Sequence, residues 1–132
     1  MTLPTLQRRR ADRTARFLTV LCAGMGVLHF VKPEPFDEII PASLPGSPRA
    51  WTYGSGVVEV ATAALLAAPR TRRLGGRVAT ALFAGVFPGN VQMAWNWRRR
   101  PWYLQVVSLG RLPLQADLIR RSEFVHRHAS RT

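Results

Sequence analysis

The chain has 132 residues, 47% hydrophobic and 20% charged, and nineteen basic residues against seven acidic ones give a formal charge of +12. That length allows one domain; the apolar content excludes a disordered chain, and a lone cysteine, Cys22, excludes a disulfide scaffold. The mean hydropathy of −0.02 is the sum of two unlike populations, long apolar stretches and the arginine clusters between them.

Residues 1–14 form a basic tail carrying Arg8, Arg9, Arg10 and Arg13, with Arg16 just beyond it. The first apolar stretch, 15–31, follows. A basic segment before an apolar run is the pattern of a signal peptide, but no A-x-A-like site follows, and Leu21 ahead of Cys22 is poorly suited to lipoprotein processing. The expectation is an uncleaved first span, with Cys22 a small buried apolar residue. Residues 32–50 hold Pro33, Pro35, Pro41, Pro45 and Pro48, which excludes a long helix. Within them Phe36–Ile40 suits one helical turn, so this segment is expected to be a short interfacial or re-entrant cap.

Three further apolar stretches occupy 51–68, 78–95 and 102–119, and residues 120–132 form a second polar tail. At 1.5 Å per residue, an 18-residue stretch reaches about 27 Å, close to the ~30 Å hydrocarbon core of a bilayer. Apolar residues recur on every side of each stretch, whereas a soluble helix keeps a polar face opposite an i, i+3, i+4, i+7 stripe. A soluble four-helix bundle is therefore the weaker reading. The sequence predicts an all-α bundle of four transmembrane helices spanning 15–119, with a Pro-rich interfacial segment between helices 1 and 2. If the amino terminus is cytoplasmic, thirteen basic residues lie inside and five outside, so the positive-inside rule places both termini in the cytoplasm. The outer exception is Arg98, Arg99 and Arg100, which sit among Trp95, Trp97, Trp102 and Tyr103 and read as an aromatic-belted turn at headgroup level.

A pI near 11.8 would suit a nucleic-acid binder if the arginines formed one face of a soluble domain. Here they punctuate spans, and no phosphate-binding Gly-rich loop accompanies them. Nucleic acid is not an expected partner; anionic lipid on the cytoplasmic side is.

Ionisable groups at membrane depth are costly and turn inward, where they usually pair. Glu59 lies eight residues into the second stretch and Arg111 nine into the fourth, each roughly 12–13 Å down from the outer surface. Their shared level predicts an ion pair across the bundle. Ser55 stands one turn before Glu59 on the same face, and Ser108 and Gln115 flank Arg111. Asn90, roughly 8 Å deep, and His29, near the outer end of the first span, complete a polar group in the outer half. Pro88 and Pro113 free backbone carbonyls that Asn90, Arg111 and Gln115 are suited to satisfy. Two readings compete. In one, the polar set only fixes helix register. In the other it lines a cavity for a ligand with a polar head, rimmed by His29, Tyr53 and Trp51. Gly85-x-x-x-Gly89 matches the small-residue pattern of close helix contact.

No pair of membrane histidines is placed to ligate haem, and no CxxC or Ser-His-Asp set occurs. His126-x-His128 in the tail is a chance spacing rather than a metal site. The chain is expected to hold no metal and no cofactor of its own; a redox role would borrow one, such as a quinone.

Four pieces in order, His29-Phe30-x-x-Pro33-x-x-Phe36 running to Pro41, Tyr53-x-Ser55-Gly56-x-x-Glu59, Phe87-Pro88-x-Asn90 and Arg111-x-Pro113-x-Gln115, resemble the pattern of the DoxX-like small membrane proteins, from about residue 17 to 119. The resemblance implies a multi-pass protein of a bacterial cell membrane. It further implies an accessory or anchoring subunit of a redox-linked complex, as in thiosulfate:quinone oxidoreductase or oxidative-stress assemblies. Membrane lipid, redox partner proteins and a second copy of the chain are the partners that reading allows. The alternative is a binder, transporter or isomerase of a small amphipathic molecule, working through His29, Tyr53, Ser55, Glu59, Asn90, Arg111 and Gln115. Whether the chain is an enzyme is left open.

Overall fold

Helix signals in the sequence bracket each element of the fold. In the computed structural model, which describes residues 2–131, α1 runs Leu3–Val31, α2 Glu34–Asp37, α3 Pro48–Ala67, α4 Arg72–Asn96 and α5 Trp102–His128. Thr2 and Ser47 cap α1 and α3, each accepting a backbone N–H through its hydroxyl, with a proline in the first turn where its missing N–H costs nothing. Prolines 33, 69 and 101 stand where the chain leaves or re-enters a helix.

α1 lies along α3 and α4 along α5; contacts between α3 and α4 and between α1 and α5 close the ring. Short connections make neighbours antiparallel. The result is an all-α bundle in which α3 and α5 stand on a diagonal. One end carries the chain termini and the α3–α4 turn; the other carries the Pro-rich segment and the α4–α5 turn.

The long helices exceed the apolar stretches that seeded them. Both expected tails are helical, because the bundle continues through them. Ala11 and Ala15 on α1 and Val125 on α5 are fully buried, and Asp12 accepts bonds from the Ser130 backbone and hydroxyl. The first turn of α4 holds this end together. Arg72, 8% exposed, donates to the carbonyls of Leu66 and Ala67 at 2.8 Å each and meets Asp12 at 3.3 Å. Its neighbour Arg73 donates to Ala129 O at 2.7 Å. Two adjacent guanidiniums thus satisfy the orphan carbonyls at the ends of two other helices, where positive charge also suits the helix dipole. The turn expected at 36–40 forms two residues earlier, because Pro35 fits a first helical turn.

The two halves differ inside. At the terminal half the core is apolar: Leu18, Cys22, Leu66, Ala79, Phe83, Leu118 and Val125 pack together, and Cys22 is the small buried residue expected. Thr62, Arg72 and Ser122 are buried beside this core, whereas at the opposite half the buried side chains are mostly polar, His29, Thr52, Glu59, Asn90, Ser108 and Gln115, with Met93 the apolar exception. The outer surface reverses the usual order, with Val20 73%, Val27 53%, Val57 59% and Val106 61% exposed while Asn90 is 3% exposed.

By length and composition α1 is long and apolar enough to cross a membrane. Among the described residues it alone passes that test; Glu59 in α3, Asn90 and Gln92 in α4, and Arg111 and Gln115 in α5 interrupt the other apolar runs.

Candidate functional site

Close approach of α1 and α3 creates the first polar cluster. A Cβ on Gly26 would stand 2.7 Å from the Val60 side chain and 3.1 Å from Gly56 O, and one on Gly56 would stand 3.0 Å from His29 Cβ. Only glycines at both positions let these backbones meet. That contact sets His29 against Glu59, with Nδ1 3.1 Å from Oε2. Nδ1 also lies 2.6 Å from Met25 O; a carbonyl can only accept, so Nδ1 carries the proton and aims it there. Glu59 Oε2 is left buried without a hydrogen-bond partner among the described residues. The His29 ring is stacked on Phe36, with centroids 3.8 Å apart.

The second cluster joins α4 to α5. Asn90 Nδ2 donates to Gln115 Oε1 at 3.0 Å, Gln115 Nε2 donates to Phe83 O in the helix preceding Pro88, and Arg111 Nε donates to Asn90 Oδ1 at 3.2 Å. Gln115 thereby ties Asn90 to the backbone, and Asn90 links Gln115 to Arg111. The expected Glu59–Arg111 ion pair does not form. The two residues stand on diagonal helices, and each is met first by a side chain of an adjacent helix, Glu59 by His29 and Arg111 by Asn90. Arg111 has no carboxylate partner among the described residues.

The segment after α1 folds over this end. Asp37 accepts from the Thr52 hydroxyl at 2.6 Å and from Arg49 Nε at 2.9 Å, and Trp51 Nε1 donates to Pro45 O at 2.6 Å. Thr52 and Arg49 hold the Asp37 carboxyl below its ordinary 3.8. Tyr53 does not reach the polar cluster; it stacks on Phe30, 5.4 Å between centroids. At the other turn Arg98 lies over Trp95 at 4.0 Å and Arg100 over Trp97 at 5.1 Å, cation–π contacts that fold these arginines onto the turn.

Between α3, α4 and this folded-over segment lies a groove of about 1420 Å³. α3 and α4 touch at their joining turn, where a Gly75 Cβ would stand 2.7 Å from Leu66 N, and the groove occupies the space between them toward the other end. Its walls are mainly apolar, among them Phe36, Ile39, Leu82, Val86 and Trp95, with His29, Thr52, Ser55 and Gln92 as polar points. Gly85 and Gly89 line it too. A Cβ on Gly85 would meet nothing within 4 Å, and one on Gly89 would meet only Ile39 O at 3.3 Å. This corrects the expected reading of Gly85-x-x-x-Gly89. The close helix contacts belong instead to Gly26, Gly56, Gly75 and Gly76. Of the expected site residues, His29, Trp51 and Ser55 reach the groove; Glu59 stands behind His29; Asn90, Arg111 and Gln115 form a separate clasp. Thr52, Phe36 and Gln92 were not foreseen, although the Pro-rich segment carrying Phe36 was expected to cap this end.

A family model described as a domain of unknown function, DUF8561, matches residues 18–126. The chain belongs to that family. No curated protein and no solved structure matches it. The DUF8561 match takes in the groove and both polar clusters, but not Arg8, Arg127 or Arg131 at the terminal end.

Proposed function

We propose that this DUF8561 member is a four-span membrane protein, with both termini cytoplasmic, that binds a small amphipathic molecule in the groove between α3 and α4. The membrane reading is supported by the inverted surface. Large apolar side chains lie outside on all four long helices while Glu59, Asn90 and Gln115 lie within, an arrangement that water penalises and lipid favours. One observation carries the ligand reading: a mainly apolar groove of about 1420 Å³, with polar points at His29, Thr52 and Ser55 gathered toward one end. Such a site takes a molecule with an apolar body and a small polar head. His29 keeps Nδ1 on Met25 O, which leaves its other ring nitrogen to hydrogen-bond the head.

A quinone has the right division of apolar tail and polar ring. It joins this reading to the accessory role in a redox-linked bacterial membrane complex that the DoxX-like pattern implies. In that role the protein supplies binding and orientation, and the quinone supplies the electron chemistry. Redox partner proteins and self-association belong to the same proposal.

The test is to purify the protein in mild detergent and extract the eluate for quinone and lipid analysis, beside Gly85→Leu. Leucine at 85 projects into open space, so the fold should persist while the groove fills. An apolar compound enriched over bulk lipid in the native protein and depleted at least tenfold in the variant is expected. Identical extracts from both would end the ligand reading, and a chain that stays monodisperse without detergent would end the membrane reading.

A further inference from the structure

We infer that the terminal end of the bundle holds a binding site for a phosphate group, in a cleft walled by Arg8, Arg70, Arg73, Arg127 and Arg131. Two adjoining clefts of about 590 and 410 Å³ share Arg73, Ser130 and Arg131. Arg70, His126 and Arg127 line the larger, and Arg8 the smaller.

The argument rests on where the acids go. Asp12 is bound to Arg72 and Ser130, Asp117 to Arg120 and Arg121, and Glu123 to Arg77. Among the described residues, every acidic side chain of this end is committed to an arginine outside the cleft wall. The five that wall the cleft have no carboxylate partner among the described residues. Like charges brought together around a concavity repel, and the repulsion is relieved by an anion placed among them. The frame is also built. Arg73 is anchored by one nitrogen to Ala129 O at 2.7 Å, leaving the rest of its fork free. Ser130 is held by Asp12 at 2.7 Å, and His126 Nδ1 donates to Arg73 O at 3.0 Å. Guanidinium forks match phosphate oxygens two at a time, which favours phosphate over chloride or a lone carboxylate.

The phosphate can arrive on an anionic phospholipid headgroup or as a free phosphate. On the proposed topology the cleft sits beyond the hydrocarbon core on the cytoplasmic side, at the level of headgroups; the free-phosphate arm below does not depend on that topology. The protein is reconstituted in equimolar phosphatidylcholine and phosphatidylglycerol, and the immobilised fraction of spin-labelled phosphatidylglycerol is compared with that of spin-labelled phosphatidylcholine. In parallel, the protein in neutral detergent is titrated with inorganic phosphate, against chloride at equal ionic strength, and followed by phosphorus NMR linewidth. The variant R70Q/R127Q/R131Q removes three exposed cleft arginines that make no side-chain hydrogen bond in the structure. R9Q/R10Q/R13Q removes the same charge from the same end outside the cleft, and circular dichroism checks both for helix content.

The cleft variant should bind the phosphate ligand about tenfold more weakly while the control changes less than twofold. R70K/R127K/R131K should fall between, having the charge without the fork. Lipid selectivity alone identifies a headgroup as the source, and saturable line-broadening alone identifies free phosphate. Equal losses in the two glutamine variants would mean a diffuse field and overturn the site, as would the absence of selectivity in both arms.

Discussion

The terminal half of the bundle and the half beneath the Pro-rich segment are built from the same four helices, yet α4 uses its glycines in opposite ways in the two. At the terminal half, Gly75 and Gly76 stand where a Cβ would come within 2.7 Å of another helix's backbone, and the core around them is apolar. At the other half, Gly85 and Gly54 face space with nothing within 4 Å, and the buried residues are polar. Along α4, glycine is needed for contact in one half and leaves a vacancy in the other, while Gly26 and Gly56 keep α1 and α3 in contact beside that vacancy. A binding site requires that division: one half supplies rigidity, the other supplies room.

Exchanging the two uses gives the largest expected effect. Gly76→Leu would drive a side chain into Ser122 O and His126 N, and should destabilise the bundle by about 3 kcal/mol, read as a large drop in detergent Tm. Gly85→Ala should instead leave Tm unchanged or raise it, since helical alanine is favoured over glycine by roughly 0.5–1 kcal/mol. If the two behaved alike, the contrast between the halves would be wrong. Arg72→Ala should cost about 2 kcal/mol, because it strips the end of α3 and leaves Asp12 without its cation. Hydrogen exchange should then rise first at the last turn of α3. Gln115→Leu unties α4 from α5 for about 1 kcal/mol, the usual net scale of a hydrogen bond, and should leave the α1–α3 pair unaffected.

The smallest effect concerns the folded-over segment. Asp37 is held below its ordinary 3.8 by Thr52 and Arg49, so its clamp is fully present above that pH and is lost as pH falls through the lower folded value. Trp51 fluorescence should report loosening of the segment in acid, and Asp37→Asn should loosen it already at neutral pH and remove the acid transition. A native-like, pH-independent signal from the asparagine variant would show that the carboxylate does not fasten the segment.

Hydropathy and proline placement made the four long helices and the capping segment legible, because both are local properties of the chain. Clustering was legible too: counting residues gathered His29, Glu59, Asn90, Arg111 and Gln115, and the structure joins His29 to Glu59 and Asn90 to Arg111 and Gln115. The missing coordinate was rotation about the bundle axis. Depth alone paired Glu59 with Arg111, whereas the ring order of helices sets Glu59 against His29 and Arg111 against Asn90. The helical tails were hidden for a related reason. Arginine-rich sequence reads as solvated, and only the reach of Arg72 and Arg73 to carbonyls on other helices shows why the bundle continues. The groove could not be read at Gly85 and Gly89, since the sequence cannot distinguish a glycine pressed against a backbone from one facing emptiness.

The paired guanidiniums at the start of α4 have a consequence for how this chain can change. They grip main-chain oxygens, which every residue possesses, so the joint is indifferent to side-chain drift on the accepting strands of sequence. It is intolerant of spacing instead. A single residue inserted between Ala68 and Thr71 would turn the first coil of α4 by roughly 100° and release two neighbours at one stroke. Length in that turn, more than composition anywhere nearby, is what descent must keep.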